Sequence, residues 1–100
     1  MDGLKTIAWI FLATAMASEQ RPSKLSGISM IADGINHAVP TESELRDSLR
    51  WLVSKDIVLK EGKRYSLTGN GKEIYSRGKG NSGKLLQMWE DLETEIRKLL

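Results

Sequence analysis

One hundred residues, 40% hydrophobic and 28% charged, make one globular domain with room for a single modest core. There is no cysteine, which excludes disulfides and thiolate metal sites, and the lone histidine, His37, would have only carboxylates to join it around a metal. The net charge of +2 is segregated: residues 57–84 hold seven basic and two acidic groups (net +5), against net 0 over 1–40, −1 over 41–56 and −2 over 85–100. A clustered basic stretch is the electrostatic footprint of a polyanionic partner.

The first apolar run, Ile7 to Ala17, has two readings. Lys5 before it and Ala15-Met16-Ala17 at its end fit a secretory leader. Leu4, Ile7, Ala8, Phe11, Leu12 and Ala15 also fit the inner face of a helix capped by Asp2. Asp2 weakens the positive region a leader needs, and cleavage would remove the helix that covers the remaining core. A buried helix in a cytoplasmic chain is therefore expected, and the run is too short to span a bilayer.

Glu19-Gln20-Arg21-Pro22 breaks that helix, and Ser23 is expected to cap a second, with Leu25, Ile28, Ile31, Ala32 and Ile35 on one face. Gly27 and Gly34 each weaken it by about 1 kcal/mol relative to alanine, so it relies on packing. Asn36 to Val39 forms the turn that follows, with His37 bonded to backbone.

From Pro40 to Leu67 the pattern is sharper. Thr41 and Glu44 make a T-x-x-E capping box, and Pro40 disfavours helix upstream of it. Leu45, Leu49, Leu52 and Val53 recur at helical spacing and are expected to face inward, over a helix of about 41–55. After Asp56, Ile57-Val58-Leu59 reads as a strand, Glu61-Gly62 as a turn and Arg64-Tyr65-Ser66-Leu67 as a return strand, a basic hairpin over about 57–67. Thr68 to Gly71 is expected to be a turn and Lys72 to Arg77 a short helix carrying Ile74 and Tyr75.

Gly78 to Lys84 reads as a flexible basic linker between a domain at 1–77 and a terminal helix at 85–100. It matches G-x-G-x-x-G and the start of a P-loop, but Leu85 stands where the magnesium-binding hydroxyl belongs, and the segment follows a helix rather than a strand. No cofactor, no metal and no enzymatic activity are expected. In the terminal helix Leu85, Leu92 and Leu99 recur every seven residues, as do Trp89 and Ile96. Two heptads are too few to stand alone, so this face packs on the first helix or on a second subunit.

The order helix, helix, turn, capped helix, hairpin resembles the winged helix-turn-helix proteins of bacteria and archaea. The likeness runs from about Leu4 to Tyr75 and is most specific over Thr41 to Lys72. Leu49-x-x-Leu52 followed by Ile57-Val58 is similar to a recognition helix entering its wing, and Arg64-Tyr65-Ser66-Leu67-Thr68 followed by Gly71 is similar to the R-Y-x-L-T-x-x-G phrase that closes many wings. Asp56 departs from the glycine often found there, but aspartate tolerates the left-handed conformation. The implied fold is mainly α with a small β-hairpin, a winged helix-turn-helix with an added C-terminal helix. PadR-like and MarR-like repressors dimerise through such a helix, which implies a homodimer through Leu85, Trp89, Leu92, Ile96 and Leu99.

The resemblance implies double-stranded DNA as partner, with the capped helix in the major groove and the wing on the backbone. With the apolar stripe inward, Ser43, Asp47, Arg50 and Ser54 point outward, flanked by Arg46 and Trp51. Arg46 and Arg50 suit guanine edges or phosphates, Ser43 a phosphate at the helix N-terminus, and Lys60, Lys63 and Arg64 phosphates along the wing. Glu42, Glu44 and Asp47 crowd the same helix. Asp47 either accepts from a cytosine, holds Arg46 or Arg50, or marks a helix that does not meet DNA. The alternative is an adaptor that binds another protein through the capped helix and Trp51, an anchor type enriched at interfaces.

Overall fold

A computed structural model describes residues 3–79 and 83–100. The elements in chain order are α1 (Gly3–Ala17), β1 (Ser23–Lys24), α2 (Leu25–Asn36), α3 (Glu42–Ser54), β2 (Val58–Glu61), β3 (Arg64–Leu67), α4 (Gly69–Lys79) and α5 (Leu85–Arg97). The fold is mainly helical, with a small antiparallel sheet in the order β1-β3-β2. Asp2, the expected first cap, and residues 80–82 of the expected linker lie outside the described residues.

α1 is the centre of the molecule. Leu4 and every residue from Ile7 to Ala15 are buried, because α2, α3 and α5 all pack on it and β3 touches it. A helix apolar on nearly every side has no solvent face to offer and must be surrounded. Its polar atoms are matched: the Trp9 indole N–H donates to the Ala32 carbonyl at 2.9 Å, and the Thr14 hydroxyl donates to the Ile10 carbonyl at 2.7 Å. Among the described residues no buried side-chain nitrogen or oxygen lacks a partner.

Ser23 is not the cap of α2. The helix starts at Leu25 with Lys24 in the capping position and no side-chain bond, because Ser23 and Lys24 are drawn into β1 against Tyr65 and Arg64 of β3. Ile28, Ala32 and Ile35 form its buried stripe, as the periodicity predicts. His37 then takes a left-handed conformation (φ 55°), and its backbone N–H closes the helix on the Asp33 carbonyl at 2.7 Å.

The capping box of α3 is present in both directions. The Glu44 N–H donates to the Thr41 hydroxyl at 3.0 Å, and the Thr41 N–H donates to the Glu44 carboxylate at 2.9 Å. Leu45, Leu49 and Leu52 face the core, together with Ser48. Val53 does not: it stands 38% exposed, so the inward stripe is one residue narrower than the spacing suggests.

Asp56 is left-handed (φ 60°) and ties three elements together. Its carbonyl accepts from the Thr68 hydroxyl at 2.7 Å, its carboxylate accepts from the Asn70 amide at 3.0 Å, and the next N–H, from Ile57, returns to Leu52 at 3.2 Å. Thr68 in turn accepts from the Gly71 N–H at 3.0 Å, which starts α4 at Gly69 rather than Lys72. A Cβ on Gly71 would collide with the Ile57 carbonyl oxygen and lie 3.0 Å from its carbon. Between β2 and β3 only Gly62 of the two turn residues has positive φ (61°), the arrangement of a II′ hairpin.

α4 continues through Gly78 and Lys79, so these two residues are helix, not linker. Gly78 is where α4 crosses α5; a Cβ there would lie 2.8 Å from Leu92 Cγ. α5 turns Met88, Trp89, Leu92 and Ile96 onto α1 and α4. The Trp89 indole N–H donates to the Lys5 carbonyl at 2.8 Å, and its ring stacks on Trp9 with centroids 6.0 Å apart. The expected dimer face is corrected accordingly. Trp89, Leu92 and Ile96 are at most 8% exposed within one chain, whereas Leu85 (37%) and Leu99 (36%) remain partly open.

Glu95 of α5 accepts from Arg77 of α4 at 2.9 Å and from Lys98 at 3.0 Å. Those two hydrogen bonds, Arg77 foremost, hold its carboxyl below the usual 4.5. A lowered folded-state pKa contributes stability above the ordinary value, and the contribution fades as pH falls through the lowered one. Glu95→Gln is expected to cost up to about 1 kcal/mol at neutral pH. The gap between denaturant melts of the two proteins should begin to narrow below pH 4.5 and close once pH has fallen past the lowered value; a gap that persists in stronger acid would assign the loss to packing instead.

Candidate nucleic-acid interface

The exposed side of α3 carries Arg46, Arg50 and Val53 at i, i+4 and i+7, one stripe along the helix. Facing it is the hairpin, where Lys60 and Tyr65 are cross-strand partners and so share a sheet face. Between them lies a cleft of about 190 Å³ lined by Arg46, Leu49, Arg50, Val53, Lys60 and Tyr65. An adjoining hollow of about 450 Å³ shares Arg46, Lys60 and Tyr65 and adds Lys24, Ser26 and Lys63. The two form one trough with an apolar floor of Leu49 and Tyr65 and a cationic rim. Among the described residues no carboxylate lines either part.

Four of the six residues expected to meet DNA thus converge: Arg46, Arg50, Lys60 and Lys63. Arg64 does not join them. It belongs to the opposite face of β3, and its guanidinium donates to the Pro22 carbonyl at 3.4 Å. Ser43 is also elsewhere, in a separate cleft of about 390 Å³ with Ile7, Asp47 and Trp51. Lys24 is the residue that sequence reasoning missed. Its place depends on β1, a strand of only two residues with no periodicity to reveal it.

The acidic residues of α3 are accounted for one by one. Glu44 completes the capping box, Glu42 accepts from Arg46 at 2.9 Å, and Asp47 accepts from Ser43 and from Arg50, each at 3.1 Å. Asp47 therefore holds Arg50, one of the roles open to it. Both arginine pairs are more than half exposed, and such pairs are worth less than about 1 kcal/mol, so an anionic partner can draw either guanidinium away. On the rim, Lys60 Nζ lies 5.8 Å from the Tyr65 ring centroid, within cation–π range.

Trp51 is half-buried beside Ile7 of α1, with Lys55 Nζ 5.5 Å from its ring centroid. The neighbours on that side are Gly3, Thr6 and Ile7 of the first helix. Among the described residues no His, Cys, Asp or Glu cluster is placed to hold a metal ion, and no helix is long and apolar enough to cross a membrane. Compared with family models, curated proteins and solved structures, the chain matches none.

Proposed function

We propose that this chain is a winged-helix DNA-binding domain serving as a small cytoplasmic transcriptional regulator. The observation that carries this reading is the trough: five cations from α3, β1 and the hairpin around one concavity that no carboxylate lines among the described residues. α3 would enter the major groove, and Lys24, Lys60 and Lys63 would lie along phosphates, supplying affinity without sequence information. A homodimer belongs to the same proposal, with Leu85 and Leu99 as the members of the heptad face left partly open to a second copy.

The test is binding to random-sequence duplex DNA across a salt series, with molecular mass measured on the same sample. Steeply salt-dependent binding supports the reading, since each neutralised phosphate adds about 0.9 to the slope. Arg50→Ala is expected to cost about 1–3 kcal/mol on a selected operator and much less on random duplex. An equal loss on both would make Arg50 a phosphate contact instead.

A second reading, a protein-binding adaptor, draws on the cleft beside Trp51, whose other walls are Gly3, Thr6 and Ile7 of α1. A folded chain that ignores duplex DNA at low salt but holds a protein partner with little salt dependence would favour it.

A further inference from the structure

We propose that Val53 reads thymine, its side chain meeting the 5-methyl group of a thymine close to a guanine held by Arg50. The inference rests on the DNA-binding reading and extends it to base identity. Val53 is the apolar member of the outward stripe Arg46, Arg50, Val53, and at 38% exposed it is not satisfied by the core. It lines the narrower part of the trough with both arginines. Arginine forks match the N7 and O6 acceptors of guanine, whereas valine has no donor or acceptor. The thymine methyl is the one apolar feature of a base edge in the major groove, and so the one valine complements.

Position along α3 points the same way. Glu42, Glu44 and Asp47 gather negative charge in the first half of the helix, which repels phosphate there and shifts the base-facing stretch toward Arg46–Val53. Three residues of helix advance about 4.5 Å, against roughly 3.4 Å per base pair, so the thymine falls about one or two pairs from the guanine. A lone exposed valine is otherwise an ordinary surface feature, and the test separates the two.

The whole chain is used to select duplexes from a randomised pool, and the enriched pool is copied once with thymidine and once with deoxyuridine. The expected result is thymine enriched next to guanine, and uracil copies bound about four-fold more weakly, the worth of one methyl removed from water. Val53→Ser, an exposed change, should bind both copies equally with an unaltered salt slope. Equal binding of the two copies by the unsubstituted chain, with a steep salt slope, overturns the role of Val53 and leaves DNA binding standing. So does a thymine preference that survives in Val53→Ser. Failure to hold either copy at low salt overturns both proposals.

Discussion

Gly71→Ala should destabilise the protein by about 3 kcal/mol, toward the upper end for an overpacked site. The added methyl has no free direction, because it meets the Ile57 carbonyl oxygen and sits 3.3 Å from the Leu67 Cβ. Ile57 leads into one strand of the hairpin and Leu67 ends the other, and the Ile57 carbonyl also accepts from the Thr68 N–H at 3.3 Å. Relief would require moving backbone at the point where α3, the hairpin and α4 are joined. For a domain of this size the loss corresponds to a drop in Tm of roughly 12–24 °C. Thermal melting checks it directly; an unchanged Tm would mean that α4 can shift away without cost. Gly69 has nothing within 4 Å of a Cβ, so Gly69→Ala serves as the control, with an effect expected within about 0.5 kcal/mol.

Replacing Lys24, Lys60 and Lys63 together by glutamine is expected to lower the salt slope for random duplex by about 2.7, at about 0.9 for each phosphate contact. At salt near 0.05 M that amounts to roughly a thousand-fold loss of affinity. All three side chains are exposed, so the melting temperature should stay within a few degrees. Arg64→Gln is the informative companion. It lies off the trough, and its effect on the slope should be small. If Arg64 mattered as much as the three lysines, the bound strand would run over the other face of the hairpin, and the assignment of the trough would be wrong.

The parts of this molecule legible from sequence are those set by near neighbours in the chain. The capping box of α3 needs only Thr41 and Glu44, three residues apart. The hairpin needs alternating strands around Gly62, and the turn at Asp56 needs only a residue that tolerates positive φ. Each choice is decided within a few residues, so local propensity and periodicity suffice. The basic bias of residues 57–84, which includes Lys60 and Lys63, is likewise legible from composition alone.

Contacts between distant segments decided the rest. α1 reads as one amphipathic helix, yet three helices surround it; its burial on every side depends on where α2, α3 and α5 lie. The heptad of α5 cannot say whether its partner is its own chain or another, since Trp89 and Leu92 suit either. Packing on α1 and α4 made the choice. β1 exists only because Ser23 and Lys24 meet β3, and that pairing took the capping role from Ser23. Val53 is open for a complementary reason: it sits at the edge of the apolar stripe, and an edge position is buried only if a neighbour reaches over it. Sequence periodicity fixes which residues share a face, while the arrangement of the other elements determines which faces are covered.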